Sequence, residues 1–366
     1  MARRAAHTAE PPPEDLDHPR RAAALFGQAA SEVRFLDAYN AGRLHHAWLL
    51  HGPRGVGKAT FAYRAARFLL ADEKSEAGGL FGAAAQPTSL DRPADDPGCR
   101  RVVAGSHADL FTLEPDSPGR QIAAEPARAL IQSFRLTAGE GAWRVAIVDA
   151  ADDLNRTAAN ILLKLIEEPP PRALLFLVSH NPGRLLPTIR SRCARLAFEP
   201  IADGDVARIL ASRRPEADPE ALAAAIRLAG GSAGRALALL DGGGAVTVEA
   251  LGKALAGRRG EGTILAEAFA GAIARDPFQR RIAGETLVAW LAAAARPPEA
   301  PAPAGLTPEL TQSAHAASAL GPKPWLDLYD HAIRRLDRAE AVNLDPAQTL
   351  VDILARAQAL LARAAA

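Results

Sequence analysis

The sequence predicts an α/β domain, a parallel sheet covered by helices, followed by two all-helical segments. Three observations predict it. Short, continuously apolar runs at Ala47–Leu50, Arg144–Val148 and Ala173–Val178 read as strands buried on both faces. Helical periodicity occupies residues 58–70, 125–136 and 155–167 between them, the alternation that a parallel sheet requires. After Pro200 the strand signals stop, and only amphipathic helical pattern remains, punctuated by Pro215, Pro219 and Gly230-Gly231.

Taken in order, residues 1–22 carry Pro11-Pro12-Pro13 among mixed charges, with no apolar periodicity to offset the entropy of ordering, and read as a mobile tail. A helical pattern begins at Leu25 and runs through Val33, Leu36 and Tyr39 to the first strand, which ends at Gly52. Residues 72–108 hold Gly78-Gly79, Pro87, Pro93 and Pro97-Gly98 without sustained periodicity, which predicts a long surface excursion. Asp109–Leu113 reads as a second strand, and the helix over 155–167 is stopped by Pro169-Pro170-Pro171. The predicted division is an α/β domain over 23–200, a small helical module over 201–243 with a hinge at Gly242-Gly243-Gly244, and a helical domain over 244–366 interrupted by a Pro-rich loop at 297–303.

Composition narrows the function classes. At 366 residues, 48% apolar and 23% charged, the chain is long enough for several cores and too apolar for wholesale disorder. Lys and Arg total 43 against 42 Asp and Glu, so no whole-body field grips nucleic acid or an anionic membrane, and any DNA contact is local. Cys99 and Cys193 supply neither a disulfide framework nor a four-thiolate zinc site, which predicts a reducing, cytoplasmic setting. No apolar run approaches the ~18 residues a membrane span needs, and the amino-terminal residues lack a signal-peptide core. Alanine and arginine are abundant and there are only five lysines, so each lysine is the less probable accident.

Lys58 closes the most specific motif. Gly52-Pro53-Arg54-Gly55-Val56-Gly57-Lys58 is the G-x-x-x-x-G-K core of a phosphate-binding loop, set between a strand and a helix. Its glycines let backbone N–H groups converge on phosphate oxygens, and the lysine reaches the outer phosphates. The next residue should carry a hydroxyl for Mg²⁺ but is Ala59, and Thr60, one position later, points about 100° away. Binding of ATP is therefore left open and placement of the metal ion compromised. Asp149 ends the strand at 144–149 as a Walker B carboxylate would, yet the water-positioning acid expected next is replaced by Ala150. Asp152 and Asp153 follow, and helix capping is the favoured reading for both. In Ser191-Arg192-Cys193, the arginine is either a solvated charge or a finger reaching into a neighbour's nucleotide site, and spacing alone does not choose.

Other signals are set aside. Gly230-Gly231-Ser232-Ala233-Gly234 matches a nucleophile elbow but follows a helix, so Ser232 is expected to cap a helix break. Cys99, His107 and the histidines at 45, 46 and 51 lack metal-ligand spacing, and no zinc is expected. Trp48, Trp143, Trp290 and Trp325 are expected in cores.

Across residues 25–240 the chain resembles the bacterial clamp-loader AAA+ proteins of DNA polymerase III, and among them the delta-prime subunits. The resemblance rests on Leu25-Phe26-Gly27-Gln28, on Leu44-His45-His46-Ala47, on the run Asn160 to Pro170 containing Lys164-Leu165-Ile166-Glu167-Glu168-Pro169-Pro170, and on Leu185 to Cys193. It implies an AAA+ module, a helical lid and a helical collar in a five-subunit spiral. The implied partners are gamma or tau subunits that hydrolyse ATP, a delta subunit that opens the sliding clamp, and primed DNA within the complex. The implied role of this chain is a stator without turnover of its own that lends Arg192, with Ser191 and Cys193 as its motif, to a neighbouring ATP site. Gly52, Gly55, Gly57, Lys58, Thr60 and Asp149 are then a degenerate nucleotide site. The cysteine-rich zinc module common in such proteins is reduced to Cys99, and Arg235 stands one place late for a phosphate-sensing arginine. Ser179 falls where the family places a polar sensor, and it equally suits a strand-ending turn. The alternatives are a self-sufficient AAA+ ATPase using Asp152 or Asp153, and a small-molecule P-loop kinase, disfavoured because nothing after residue 200 resembles an acceptor-binding lid.

Overall fold

The computed structural model describes residues 17–71, 86–116, 120–135, 143–242, 244–256, 273, 277–300, 303, 305–342 and 345–364. The tail at 1–16, residues 72–85 of the surface excursion and Gly243 of the hinge lie outside them. Contacts group the chain into two compact units, one of residues 1–53 with 57–199 and one of 54–56 with 200–366.

The first unit is a five-stranded parallel sheet. Its strands are β1 (Ala47–His51), β2 (Leu110–Leu113), β3 (Arg144–Asp149), β4 (Ala173–Ser179) and β5 (Ala194–Ala197), in the order β2-β3-β4-β1-β5. β1 lies between β4 and β5, with Leu49 opposite both Leu177 and Arg195. Strands β1, β3 and β4 are buried almost throughout, which is why they read as unbroken apolar runs instead of alternating ones. Helices α1 (Ala29–Asn40), α2 (Lys58–Leu70), α3 (Pro97–Ala104), α4 (Ala124–Arg135), α5 (Arg156–Glu167) and α6 (Pro187–Arg192) complete it. Beneath one part of the sheet, Phe35 meets Trp48, Phe61 and Phe176 at ring distances of 5.5–5.9 Å. A second cluster packs α4, α5 and α6 through Leu130, Phe134, Leu162, Leu165, Ile189 and Cys193.

One expectation fails. The excursion over 72–108 is not all surface loop, because Pro97–Ala104 is a helix that buries Cys99 and Val102. Asp96 caps it by accepting from the Cys99 N–H at 2.8 Å, Pro97 occupies its first turn and Gly105 ends it at φ +72°. Only two turns long, it is too short to display a periodicity.

In the second unit α7 (Asp203–Arg213), α8 (Pro219–Ala229) and α9 (Ala233–Asp241) enclose a small core of Ile201, Val206, Leu210, Ala229, Ala233 and Ala236. Ser232 caps α9 as predicted, accepting from the Arg235 N–H at 3.1 Å. Helices α10 (Gly244–Ala256), α11 (Pro277–Ala294), α12 (Pro308–Ala317), α13 (Pro322–Val342) and α14 (Pro346–Ala364) form a larger core around the edge-to-face pair Trp290 and Trp325. Ala225, Leu228 and Leu239 belong to that larger core, so α8 and α9 pack on both clusters. Gly244 opens α10 instead of a loop. Trp48, Trp290 and Trp325 are buried as expected, whereas Trp143 is partly exposed at the start of β3.

Candidate functional site

β1 runs directly into the glycine loop and α2 starts at Lys58. Gly52, Gly55 and Gly57 have φ of +145°, +75° and +100°, where a side chain is strained. A Cβ on Gly52 would stand 2.0 Å from the Phe198 carbonyl oxygen, so this position also lacks space. Lys58 is buried, and its Nζ donates to the Gly52 carbonyl at 2.7 Å and to the Pro53 carbonyl. The ammonium thus folds onto carbonyls of its own loop. Residues 54–56 group with the second unit: the Ser232 hydroxyl donates to the Arg54 carbonyl at 2.9 Å and the Gly234 N–H to the Gly55 carbonyl at 3.0 Å. Burial, with the neighbouring charges of Arg195 and Lys58, pushes the His51 pKa below its ordinary value and favours a neutral ring. The glycines and Lys58 retain the form of a phosphate cradle. The donor set does not fit a magnesium ion, because Ala59 has no oxygen where the hydroxyl ligand belongs and Thr60 follows a helical step later.

Asp149 ends β3 and the next side chain, Ala150, is a buried methyl. Asp152, two residues on, does not cap α5. That position belongs to Asn155, whose side chain accepts from the Ala158 N–H at 2.8 Å. The Asp152 carboxylate instead faces the end of β4, where it accepts from the Ser179 hydroxyl at 2.9 Å, from the His180 N–H, and from the Asn181 N–H at 3.2 Å. The capping expectation is corrected for a spatial reason: β4 lies beside β3, so residues 27 to 29 positions away in sequence are neighbours. The same contacts engage Ser179, the sensor candidate, in holding a carboxylate.

Arg192 is the last residue of α6 and Cys193 lies beneath it in the core, its thiol pushed up to about 12 by burial. The Arg192 Nη1 donates to the Thr188 carbonyl at 3.2 Å, and Nε lies 3.2 Å from Oε1 of Glu167, the last residue of α5. Both side chains of that pair are about half exposed. Ser191 donates its hydroxyl to the same Thr188 carbonyl at 3.2 Å, so the motif's serine secures the turn that carries the arginine. Glu167 is a partner of Arg192 that the spacing gave no means of finding.

Arg235 donates to Glu285 at 3.0 Å and to the buried Thr286 hydroxyl at 3.1 Å, both on α11, and joins α9 to that helix.

Residues 27–202 match the family described as DNA polymerase III, delta subunit. The chain is 36% identical over 187 residues to the DNA polymerase III subunit delta' of Pseudomonas aeruginosa, covering 51% of this chain and 53% of that one. It is 34% identical over 209 residues to the corresponding subunit of Escherichia coli, covering 57% and 58%. The tau subunit of Escherichia coli is 29% identical over 242 residues, which are 64% of this chain and 35% of that one. The matched part therefore spans about half the length of the delta' relatives. Through residues 27–202, just under half of the chain, which hold the glycine loop, the parallel sheet and the Ser-Arg-Cys turn, the chain is similar to the delta' subunits of DNA polymerase III.

Proposed function

We propose that the chain is a stator of a DNA polymerase III clamp loader: it hydrolyses no ATP itself and supplies Arg192 to the ATP site of a neighbouring gamma or tau subunit. The observation that carries this reading is the state of Asp152. A carboxylate that activates water must keep a lone pair directed at that water. After Asp149, itself in the Walker B position, Asp152 is the next acid along the chain, and three of the about four hydrogen bonds its oxygens can accept come from the end of β4. Ala59 and Ala150 remove the metal-ligating hydroxyl and the water-positioning acid from the positions that need them.

The second half of the reading rests on Arg192. A guanidinium half exposed at the end of a surface helix can reach a neighbouring chain, and its fixed fork suits phosphate oxygens. Its effect in trans would be electrostatic, offsetting charge that develops on the transferring phosphoryl group. On the same reading, residues 201–243 serve as a lid and 244–366 as a collar that holds the subunits together. Gamma or tau and delta subunits, the sliding clamp and primed DNA are the partners, and the setting is cytoplasmic.

The test is ATP turnover by the isolated chain and by a complex reconstituted with gamma or tau and delta subunits, each with wild type and Arg192→Ala. A silent isolated chain, and a complex that assembles normally but turns over more slowly with Arg192→Ala, support the proposal. ATP turnover by the isolated chain that disappears with Lys58→Ala would sink it.

A further inference from the structure

We infer that Glu167 is the positioning residue for Arg192, an inference that rests on the trans-acting role proposed above. Among the described residues, Glu167 and Thr188 hold the Arg192 guanidinium. Nε faces Glu167 Oε1 at 3.2 Å and Nη1 donates to the Thr188 carbonyl at 3.2 Å. A guanidinium carries five N–H donors. These two contacts engage Nε and Nη1, and with the side chain about half exposed the rest of the donor fork stays accessible to solvent. An unrestrained arginine would spread over many rotamers and would have to be ordered each time it met a phosphate.

The placement of Glu167 runs against the local preference of its own helix. It is the last residue of α5, where the unpaired carbonyls concentrate negative charge and an acidic side chain is disfavoured. Glu168 follows directly, so two carboxylates stand at this end with Lys164 the basic residue of the last turn. Departures of this kind collect where a sequence serves function over stability. Arg192 occupies the favoured counterpart, a cation at the end of α6. The pair therefore joins the ends of two helices that share one core, through Leu162, Leu165 and Ile166 on α5 and Ile189 on α6.

The pedestal beneath Glu167 is fixed as well. His46, adjoining the start of β1, hydrogen-bonds through Nε2 with the Ile166 carbonyl at 2.8 Å, and its ring stacks on His45 at 4.3 Å. Burial pushes the His46 pKa below its ordinary value, with His45 acting in the same direction and the Ile166 contact against it. The strand that leads into the glycine loop thus also holds the residue preceding the arginine's partner. Glu167 touches no nucleotide in this reading; it acts through Arg192.

The experiment is a double-mutant cycle on ATP turnover by the reconstituted complex, using Arg192→Ala, Glu167→Gln and the pair, with assembly followed by gel filtration. Glu167→Gln keeps the size and removes the charge, and the residue is half exposed, so the fold and the complex should persist. We expect it to lose at least half of the kcat that Arg192→Ala loses, with KM for ATP unchanged. The double variant should be no slower than Arg192→Ala alone, and Glu167→Asp should recover part of the rate. A purely structural pair would not give this non-additive loss in kcat. Full turnover with Glu167→Gln beside a slow Arg192→Ala overturns the inference and leaves the finger intact, as does a Glu167→Gln complex faster than wild type. Full turnover with Arg192→Ala overturns the finger and this inference together.

Discussion

Replacing Asp152 with alanine separates a structural carboxylate from a catalytic one. The substitution removes the acceptor for the fully buried Ser179 hydroxyl at 2.9 Å and for the N–H groups of His180 and Asn181. Hydrogen bonds to a charged group contribute about 1.5–3 kcal/mol each in favourable cases, and with Asp152 partly exposed the three together are worth about 2–4 kcal/mol. At roughly 2–4 °C per kcal/mol for a domain of this size, the unfolding midpoint of the first unit should fall by about 5–15 °C. Thermal unfolding of the full chain by circular dichroism, alongside urea titration, reads this directly. Asp152→Asn should fall nearly as far, because its amide presents donors to donors. A catalytic acid held ready for water is typically a local liability, and its removal leaves stability unchanged or raised. An unchanged or higher midpoint in Asp152→Ala would therefore refute the reasoning and return Asp152 to the candidates for hydrolysis.

The remaining predictions concern other parts of the molecule. Gly52→Ala should destabilise the first unit by more than about 2 kcal/mol, since its methyl would meet the Phe198 carbonyl at 2.0 Å with φ at +145°; urea denaturation measures it. Arg235→Met should cost about 1–3 kcal/mol by leaving Thr286 without its donor partner, while nucleotide binding, followed by fluorescent-analogue titration, stays as in wild type. Burial pushes the Cys99 and Cys193 thiols each up to about 12. The thiolate is then about one part in ten thousand at pH 8, so iodoacetamide should label neither in the folded protein and both in urea. For Cys193 the raised pKa means that stability conferred by the neutral thiol is full below the unfolded thiol's ordinary value and is lost as pH rises through about 12.

Elements with local causes were legible in the sequence. β1 and β4 announce themselves because both faces of each are buried, and α2 and α5 because one apolar stripe repeats over three turns. The glycine loop was legible for the same reason, since its conformation depends on residues within the loop. What escaped detection depends on folding first. Asp152 reads as a helix cap until β4 lies beside β3, and the pairing of Glu167 with Arg192 exists only once α6 lies beside α5. The helix at Pro97–Ala104 is the exception, since Asp96, Pro97 and Gly105 are local start and stop signals that a Pro-Gly pair disguised as loop.

The strand order has a consequence for how the protein is made. β1 emerges first, yet both of its partners, β4 and β5, lie more than 120 residues later in the chain. Among the described strands, none can pair until β3 has been synthesised, because β2 is next to β3 alone. At ribosomal speeds of about 5–20 residues per second, β1 waits roughly 6–25 s for β4. During that interval Trp48, Leu49 and Leu50 have no sheet to join. The strand that bears the glycine loop thus stays without a sheet partner for longest, and slow translation before residue 173 would lengthen that interval.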